Sequence, residues 1–251
     1  MKHLPLVSVV TPTFNAGRHI ERCLRSIERQ DYPSIEHVIV DGLSLDETVA
    51  IVEKSPSDTI ERKLISEADF GLYDAMSKGV RSSSGEIVHI LNADDWYASD
   101  DVISQIVRRM EEREVDLLHA KVALVSQDGE IVRLKGEDVS FDELRLKMRV
   151  AHPSVFVRRA LYESFGPFSI SHRMAADQEW LLRVWKGARI DFMADVIVNM
   201  QMGGVSMSNV EKSIRDSASV AVLHGLNPMS AAVNYYKERL KHWCLLKAKR
   251  L

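Results

Sequence analysis

Gly85-Glu86-Ile87-Val88-His89-Ile90-Leu91-Asn92-Ala93-Asp94-Asp95-Trp96 is an apolar run opened by a glycine and closed by two adjacent acids. A short run of this kind reads as a strand buried on both faces of a parallel sheet, ending at a ligand crevice. Asp94 and Asp95 would be poor core material. Paired carboxylates at a strand end suit a divalent cation held against a diphosphate, and oxygen ligands fit Mg²⁺ or Mn²⁺. Acids after a strand also cap helices, so the meaning of this pair depends on the rest of the chain.

Upstream, two periods alternate. Leu6 to Thr11 is rich in β-branched residues and is expected to be a strand stopped by Pro12. Asn15 is placed to cap a helix carrying Ile20, Leu24 and Ile27 on one face. Glu36 to Val40 is the next strand, Ser44 or Asp46 caps a second helix, Ile60 to Ile65 is a third strand, and Gly71 to Ser83 is a short helix. Alternating strands and helices mean parallel strands with crossover helices and a crevice at the strands' C-terminal ends. Downstream, Asp101 to Glu112 reads as a helix, and Asp128-Gly129 as a hairpin turn between Val115–Val125 and Glu130–Leu134. Ala151 to Val157 reads as a strand, Asp177 to Trp185 as a helix and Arg189 to Val198 as a last strand. From Asn209 the chain is helical except near Gly225 to Pro228. The expected fold is α/β, a Rossmann-like, mostly parallel sheet flanked by helices, with some antiparallel strands.

The bulk numbers exclude several classes. The chain has 251 residues, 45% hydrophobic and 27% charged, as expected of a globular protein. A net charge of −3 argues against a nucleic-acid binder. Cys23 and Cys244 are too few and too far apart for a disulfide framework and suit a reducing cytosol. Met1 to Pro5 leads into the first strand without a signal-like apolar segment, and no apolar run of about 18 residues is present. A cytoplasmic location follows as the expectation.

The four early strand ends carry Thr11-Pro12-Thr13-Phe14-Asn15, Asp41-Gly42-Leu43-Ser44-Leu45-Asp46, Glu67-Ala68-Asp69-Phe70-Gly71 and Asn92-Ala93-Asp94-Asp95. Side by side in a parallel sheet, their acids would repel one another unless a cation or ligand donors compensate. A nucleoside diphosphate with its metal supplies both. These segments, with Gly71-Leu72-Tyr73-Asp74-Ala75-Met76-Ser77-Lys78-Gly79, resemble the family 2 glycosyltransferases, inverting enzymes of the GT-A fold, over about residues 6 to 207. His152-Pro153-Ser154-Val155-Phe156 and Ala176-Asp177-Gln178-Glu179-Trp180 resemble the branch that builds bacterial surface polysaccharides of the colanic-acid type.

The resemblance implies a role for each matched residue. Thr11, Pro12 and Asn15 would lie at the base-binding end of a donor pocket, with Asp41 facing the nucleobase. Asp74 and Lys78 would border the nucleoside, Asp94 would approach the ribose, and Asp95 would hold Mn²⁺ or Mg²⁺. Asn92 stands where an acid is common, so metal holding would rest on Asp95. Asp177 would be the catalytic base. The implied division is 1–207 as the transferase domain, with 1–100 binding the nucleotide and 101–207 carrying acceptor and catalysis, and 208–251 as a helical extension. The implied activity is inverting, metal-dependent transfer from a nucleotide sugar, UDP-linked by family habit, to a hydroxyl on a lipid-linked or growing saccharide of the cell envelope.

Inverting transfer needs a base for the acceptor hydroxyl and charge stabilisation for the departing diphosphate. Asp177 otherwise reads as a helix cap, and Glu179 is the rival base on another face. His152 is either a structural histidine or a contact on the acceptor side, and Trp96 either stacks on a sugar or packs in the core. Arg173 is expected to be solvated. Met202-Gly203-Gly204-Val205-Ser206 is either a closing loop or a turn. The basic, amphipathic segment Tyr235 to Leu251 suits peripheral contact with the inner face of a membrane, or packing on its own domain or on a second subunit in a homodimer. A sugar nucleotidyltransferase would want a Gly-rich, basic loop after the first strand, and none is present. A silent nucleotide-sugar-binding assembly partner would have lost Asp95 or Asp177, and both are present.

Overall fold

The computed structural model describes residues 4–203 and 209–248, and in it nine strands form one sheet flanked by helices. The first half runs β1 (Val7–Thr13), α1 (Ile20–Glu28), β2 (Ile35–Asp41), α2 (Thr48–Glu53), β3 (Glu61–Ser66), α3 (Leu72–Ser82) and β4 (Ile87–Ile90). The second runs β5 (Trp96–Tyr97), α4 (Val102–Glu112), β6 (Leu117–Val125), β7 (Ile131–Lys135), α5 (Phe141–Leu146), β8 (Phe156–Arg158), α6 (Arg159–Phe165), α7 (Ala176–Trp185) and β9 (Ile190–Gln201). Two helices follow, α8 (Val210–Leu223) and α9 (Pro228–Ala248). The sheet order is β3-β2-β1-β4-β8-β6-β9-β5, with β7 beside β6.

The four strands β3, β2, β1 and β4 are parallel, and β8 then runs antiparallel to both β4 and β6. Strand order reverses beside β1, since β1 leads outward to β2 while β3 returns past it to β4. In open α/β sheets such a switch point opens a crevice at the strands' C-terminal ends. The stretch closed by Asp94-Asp95 forms one wall of it. Alternate residues of β1 serve two cores. Val7 and Val9 join Cys23 and Ile27 of α1 and Ile103 of α4, while Val10 joins Met76 and Val80 of α3. The second core also takes Trp180 and Leu181 of α7 and Val220 of α8, so the helical extension packs on the sheet domain.

Pro12 does not stop β1, which continues to Thr13. Val7 and Thr13 bond to the β2 side, whereas Val10 accepts from Leu91 on the β4 side. Pro12 shares the side of Val10, and β4 pairing has ended at Ile90, so its missing N–H costs no ladder bond. The strand expected over Ala151 to Val157 is instead a 3-10 turn, His152–Ser154, followed by β8. Pro153 lacks the N–H that a paired strand needs there. The last strand runs three residues past its expected end, to Gln201.

His89 anchors the end of β4. Its ring bonds the Tyr97 hydroxyl at 2.7 Å and the Pro153 carbonyl at 2.9 Å, and stacks on Phe156 at 3.9 Å. Burial pushes His37 and His89 down to about 3 and His119 down to about 4, so all three are neutral in the fold. A histidine depressed in this way protonates only on unfolding, so its contribution is lost as pH falls below about 6.5. His119 lies between Trp185 and Phe192, and its Nδ1 has no hydrogen-bond partner. His119→Phe keeps the aromatic volume and removes the titrating group. Urea unfolding should show it more stabilising at pH 5 than at pH 7 by about 2 kcal/mol; equal gains at both pH values would contradict the assignment.

Candidate active site

The crevice floor is built from two loops zipped together. Asn15, at φ 50, donates its N–H to Ser44 Oγ and accepts from Leu45 N–H, both at 2.8 Å. Ala16 N–H donates to Thr48 Oγ1 at 2.8 Å and Gly17 N–H to Asp46 Oδ2 at 2.9 Å. Asn15 therefore joins loops and caps no helix; α1 begins after His19, without a side-chain cap. Asp46 accepts from Thr48 N–H at the start of α2. Asp41 is fully buried, accepting from Ser44 N–H at 3.0 Å, from Ser44 Oγ and from Ser66 Oγ at 2.8 Å. Its carboxylate is committed to shaping the loop that carries Leu43, at φ 63. Thr11 is also buried, paired with His37 Nε2 at 2.9 Å, and Pro12 beside it is buried. A Cβ at position 42 would lie 2.4 Å from Asp69 Oδ2, so any larger residue there would have to displace the Asp69 carboxylate. Phe14, Leu43 and Leu45 stand exposed on these two loops, and Phe70 stands exposed on the next.

The third loop closes on α3. Asp74 accepts from Phe70 N–H at 3.1 Å, and Lys78 pairs with Glu67 at 2.9 Å and with Asp74 at 3.6 Å. The hydrogen bond to Glu67 raises the Lys78 ammonium above its ordinary value. Asp74 and Lys78 thus border the crevice from one helix face, four residues apart.

The acid run has an inner and an outer member. Asp95 is 1% exposed, accepting from Asn92 Nδ2 at 3.0 Å and from Gln201 N–H at 3.2 Å. Asp94 is the more open of the two. Burial first, then the Asp94 charge, pushes the Asp95 carboxyl well above its ordinary range; burial likewise raises Asp94. Arg22 is the nearby cation, donating to Gln201 Oε1 at 2.8 Å and to the Asp94 carbonyl at 3.4 Å. Its guanidinium covers the Trp96 ring at 3.4 Å, which occupies that ring face.

Asn92 Oδ1 is buried without a partner, on the amide whose nitrogen donates to Asp95, the neighbour of Asp94. That hard-oxygen set fits a divalent cation. Among the described residues no group of three His, Cys, Asp or Glu side chains could hold a metal alone. A cation here would thus complete its shell with water or phosphate oxygens, as Mg²⁺ commonly does.

Asp177 opens α7 and faces α3. It neighbours the Tyr73 hydroxyl, which burial and then the Asp177 charge hold well above its ordinary value. His152 lies near enough to feel the same charge, although burial lowers its ring overall. Phe168 packs against Tyr73 at 5.8 Å and His152 at 5.6 Å. Glu179 is turned inward, buried and paired with Arg183 at 2.9 Å. Arg173 is exposed. Of the Met202 to Ser206 segment, Gly204, Val205 and Ser206 lie outside the described residues, and Gly203 adopts φ 114.

Sequence reasoning missed Arg22, Gln201 and Tyr73. Arg22 lies 72 residues before the acid it meets and Gln201 106 residues after. No local pattern marks either, whereas Tyr73, next to Asp74, was open to inspection. A carboxylate raised by burial destabilises the fold as pH climbs from the ordinary carboxylate range through the raised value. In metal-free protein, Asp95→Asn should therefore stabilise at pH 7 and remove that loss, because Asn92 can turn its amide to pair with the new one. Thermal unfolding at pH 4 and 7 checks this; a variant less stable at both would contradict it.

The model of "Glycosyl transferase family 2" matches residues 8–165. A PGL/p-HBAD biosynthesis glycosyltransferase of Mycobacterium bovis is 31% identical over 213 residues, 83% of this chain and 82% of that one. The glycosyltransferase AglE of Haloferax volcanii is 28% identical over 205 residues, 77% of this chain and 66% of AglE. The structure of S. aureus TarS 1–349 in complex with UDP-GlcNAc superposes with a TM-score of 0.72 at 21% identity, covering 92% of this chain and 70% of that one. The mannosyltransferase PcManGT of Pyrobaculum calidifontis, in complex with GDP-Man and Mn²⁺, gives 0.66 at 22% identity, covering 94% and 70%. The architecture is thus the GT-A fold, and with a family model spanning both the crevice loops and the acid run, the chain belongs to glycosyl transferase family 2.

Proposed function

We propose that the protein transfers a sugar from a nucleotide-sugar donor, UDP-linked, to a hydroxyl of a lipid-linked or growing saccharide in surface polysaccharide synthesis, with inversion. The observation that carries this reading is the pairing of an acid run at the β1/β4 switch point with a separate carboxylate, Asp177, facing the helix that borders the same crevice. The nucleoside lies on the zipped loops, its base against the exposed Phe14 and Phe70 and its ribose toward Asp94. Asp41 acts by holding the Leu43-Ser44 turn under the base. The two fold neighbours with bound nucleotide sugars support a donor of this class.

Asp94, Asp95 and the Asn92 amide oxygen would hold the divalent cation, with Asp94 the more open ligand. When bound, Mn²⁺ or Mg²⁺ would neutralise charge on the diphosphate as it departs. Asp177 takes the proton of the acceptor hydroxyl as its oxygen attacks the anomeric carbon and the bond to the diphosphate breaks. Glu179 is unsuited to that role because Arg183 already engages both its oxygens. The acceptor enters from the half formed by 101–207, beside His152.

Asp177→Asn should lower turnover by about 10²- to 10⁴-fold and leave nucleotide affinity unchanged. Nucleotide released from a panel of nucleotide sugars, with simple saccharides or water as acceptor, measures the first; calorimetry measures the second. Normal turnover in the variant would overturn the assignment of the base.

A further inference from the structure

Helix α9 shows an apolar stripe facing away from the rest of the protein. Met229, Val233, Tyr236, Leu240 and Trp243 repeat at alternating steps of four and three, and each is between 53% and 79% exposed. At 100° per residue they occupy one narrow face of the helix. The opposite face is the one that docks. Ala231 is buried, Asn234 Nδ2 donates to the Leu146 carbonyl at 2.7 Å, and Glu238 pairs with Lys147 at 2.8 Å. Packing on its own domain therefore does not account for the stripe.

Charge narrows the choice of partner. Lys237 and Lys241 lie along one shoulder of the stripe and Arg239 along the other, while Lys247 reaches over the Trp243 ring at 3.9 Å. Glu238, on the docked side, is the only acid from 228 to 251, against six Lys and Arg residues. Arg239 pairs with Glu211 of α8 at 3.6 Å and Lys241 with Glu238 at 2.8 Å, so face-to-face pairing of two copies would bring the basic shoulders together with the nearby acids already engaged. No helix among the described residues is long and apolar enough to cross a membrane. A Tyr, a Trp and long aliphatics between basic shoulders match a helix lying in a headgroup layer, where Lys and Arg extend to anionic lipid.

We propose that α9 seats the protein on an anionic membrane surface, its stripe in the headgroup region and its basic shoulders on lipid phosphates. This is independent of the donor and the base, since the binding needs no turnover. The purified 251-residue protein is sedimented with phosphatidylcholine vesicles, with and without phosphatidylglycerol, at low and high salt. Binding should require phosphatidylglycerol and weaken with salt. The double variant Leu240→Ser/Trp243→Ser should bind about tenfold more weakly or worse. Lys237→Gln/Lys241→Gln should weaken binding and flatten its salt dependence. All four residues are exposed, so far-UV circular dichroism should be unchanged. Absence of binding, equal binding to neutral vesicles, or wild-type binding by the serine variant would overturn the proposal. So would a dimer in sedimentation velocity that the serine variant dissociates, which would assign the stripe to a second copy.

Discussion

Two adjacent carboxylates at the end of β4, one of them 1% exposed, are costly to keep ionised together. Most of the architecture near the crevice answers that cost. Asn92 and the Gln201 N–H give Asp95 two donors, and Arg22 brings a positive charge close to both acids. Those contacts are incomplete, since Asn92 Oδ1 still lacks a partner. A cation with its phosphates would complete what the protein leaves open. The acid run is thus an under-compensated negative charge held in a fixed place, which favours the binding of a cation there.

Part of the second half of the molecule braces the acid run. Asp95 is braced from β9, which pairs in parallel with β6, and β6 reaches β4 through the antiparallel strand β8. Through this part of the sheet, Gln201 N–H reaches Asp95 at 3.2 Å. His89 does a parallel task from within β4, tying it to the 3-10 turn at Pro153. The turn also carries His152, whose ring lies near enough to Asp177 to feel its charge.

Legibility in the sequence followed contact range. The βαβ half was readable because period and turn residues are local signals, and its four strand ends converged as expected from a parallel sheet. Pro12 misled because its cost depends on which neighbour has already ended, a fact of sheet register. The His152–Ser154 turn was mistaken for strand because its apolar flanks hide the effect of Pro153. Asp41 and Thr11 lie in the crevice loops, but burial, which no motif states, turns both inward. Arg22 and Gln201 could not be found by spacing at all, since their partners lie in other strands and helices.

The central claim is that the acid pair holds a nucleoside diphosphate through a divalent cation. Its most direct test is calorimetric titration of the wild-type protein with UDP, GDP and dTDP, each with and without Mn²⁺. The account predicts tight binding of UDP that is lost when Mn²⁺ is removed with chelator. Binding of UDP that is equally tight without the metal would contradict it, as would failure of folded protein to bind any of the three with Mn²⁺ present.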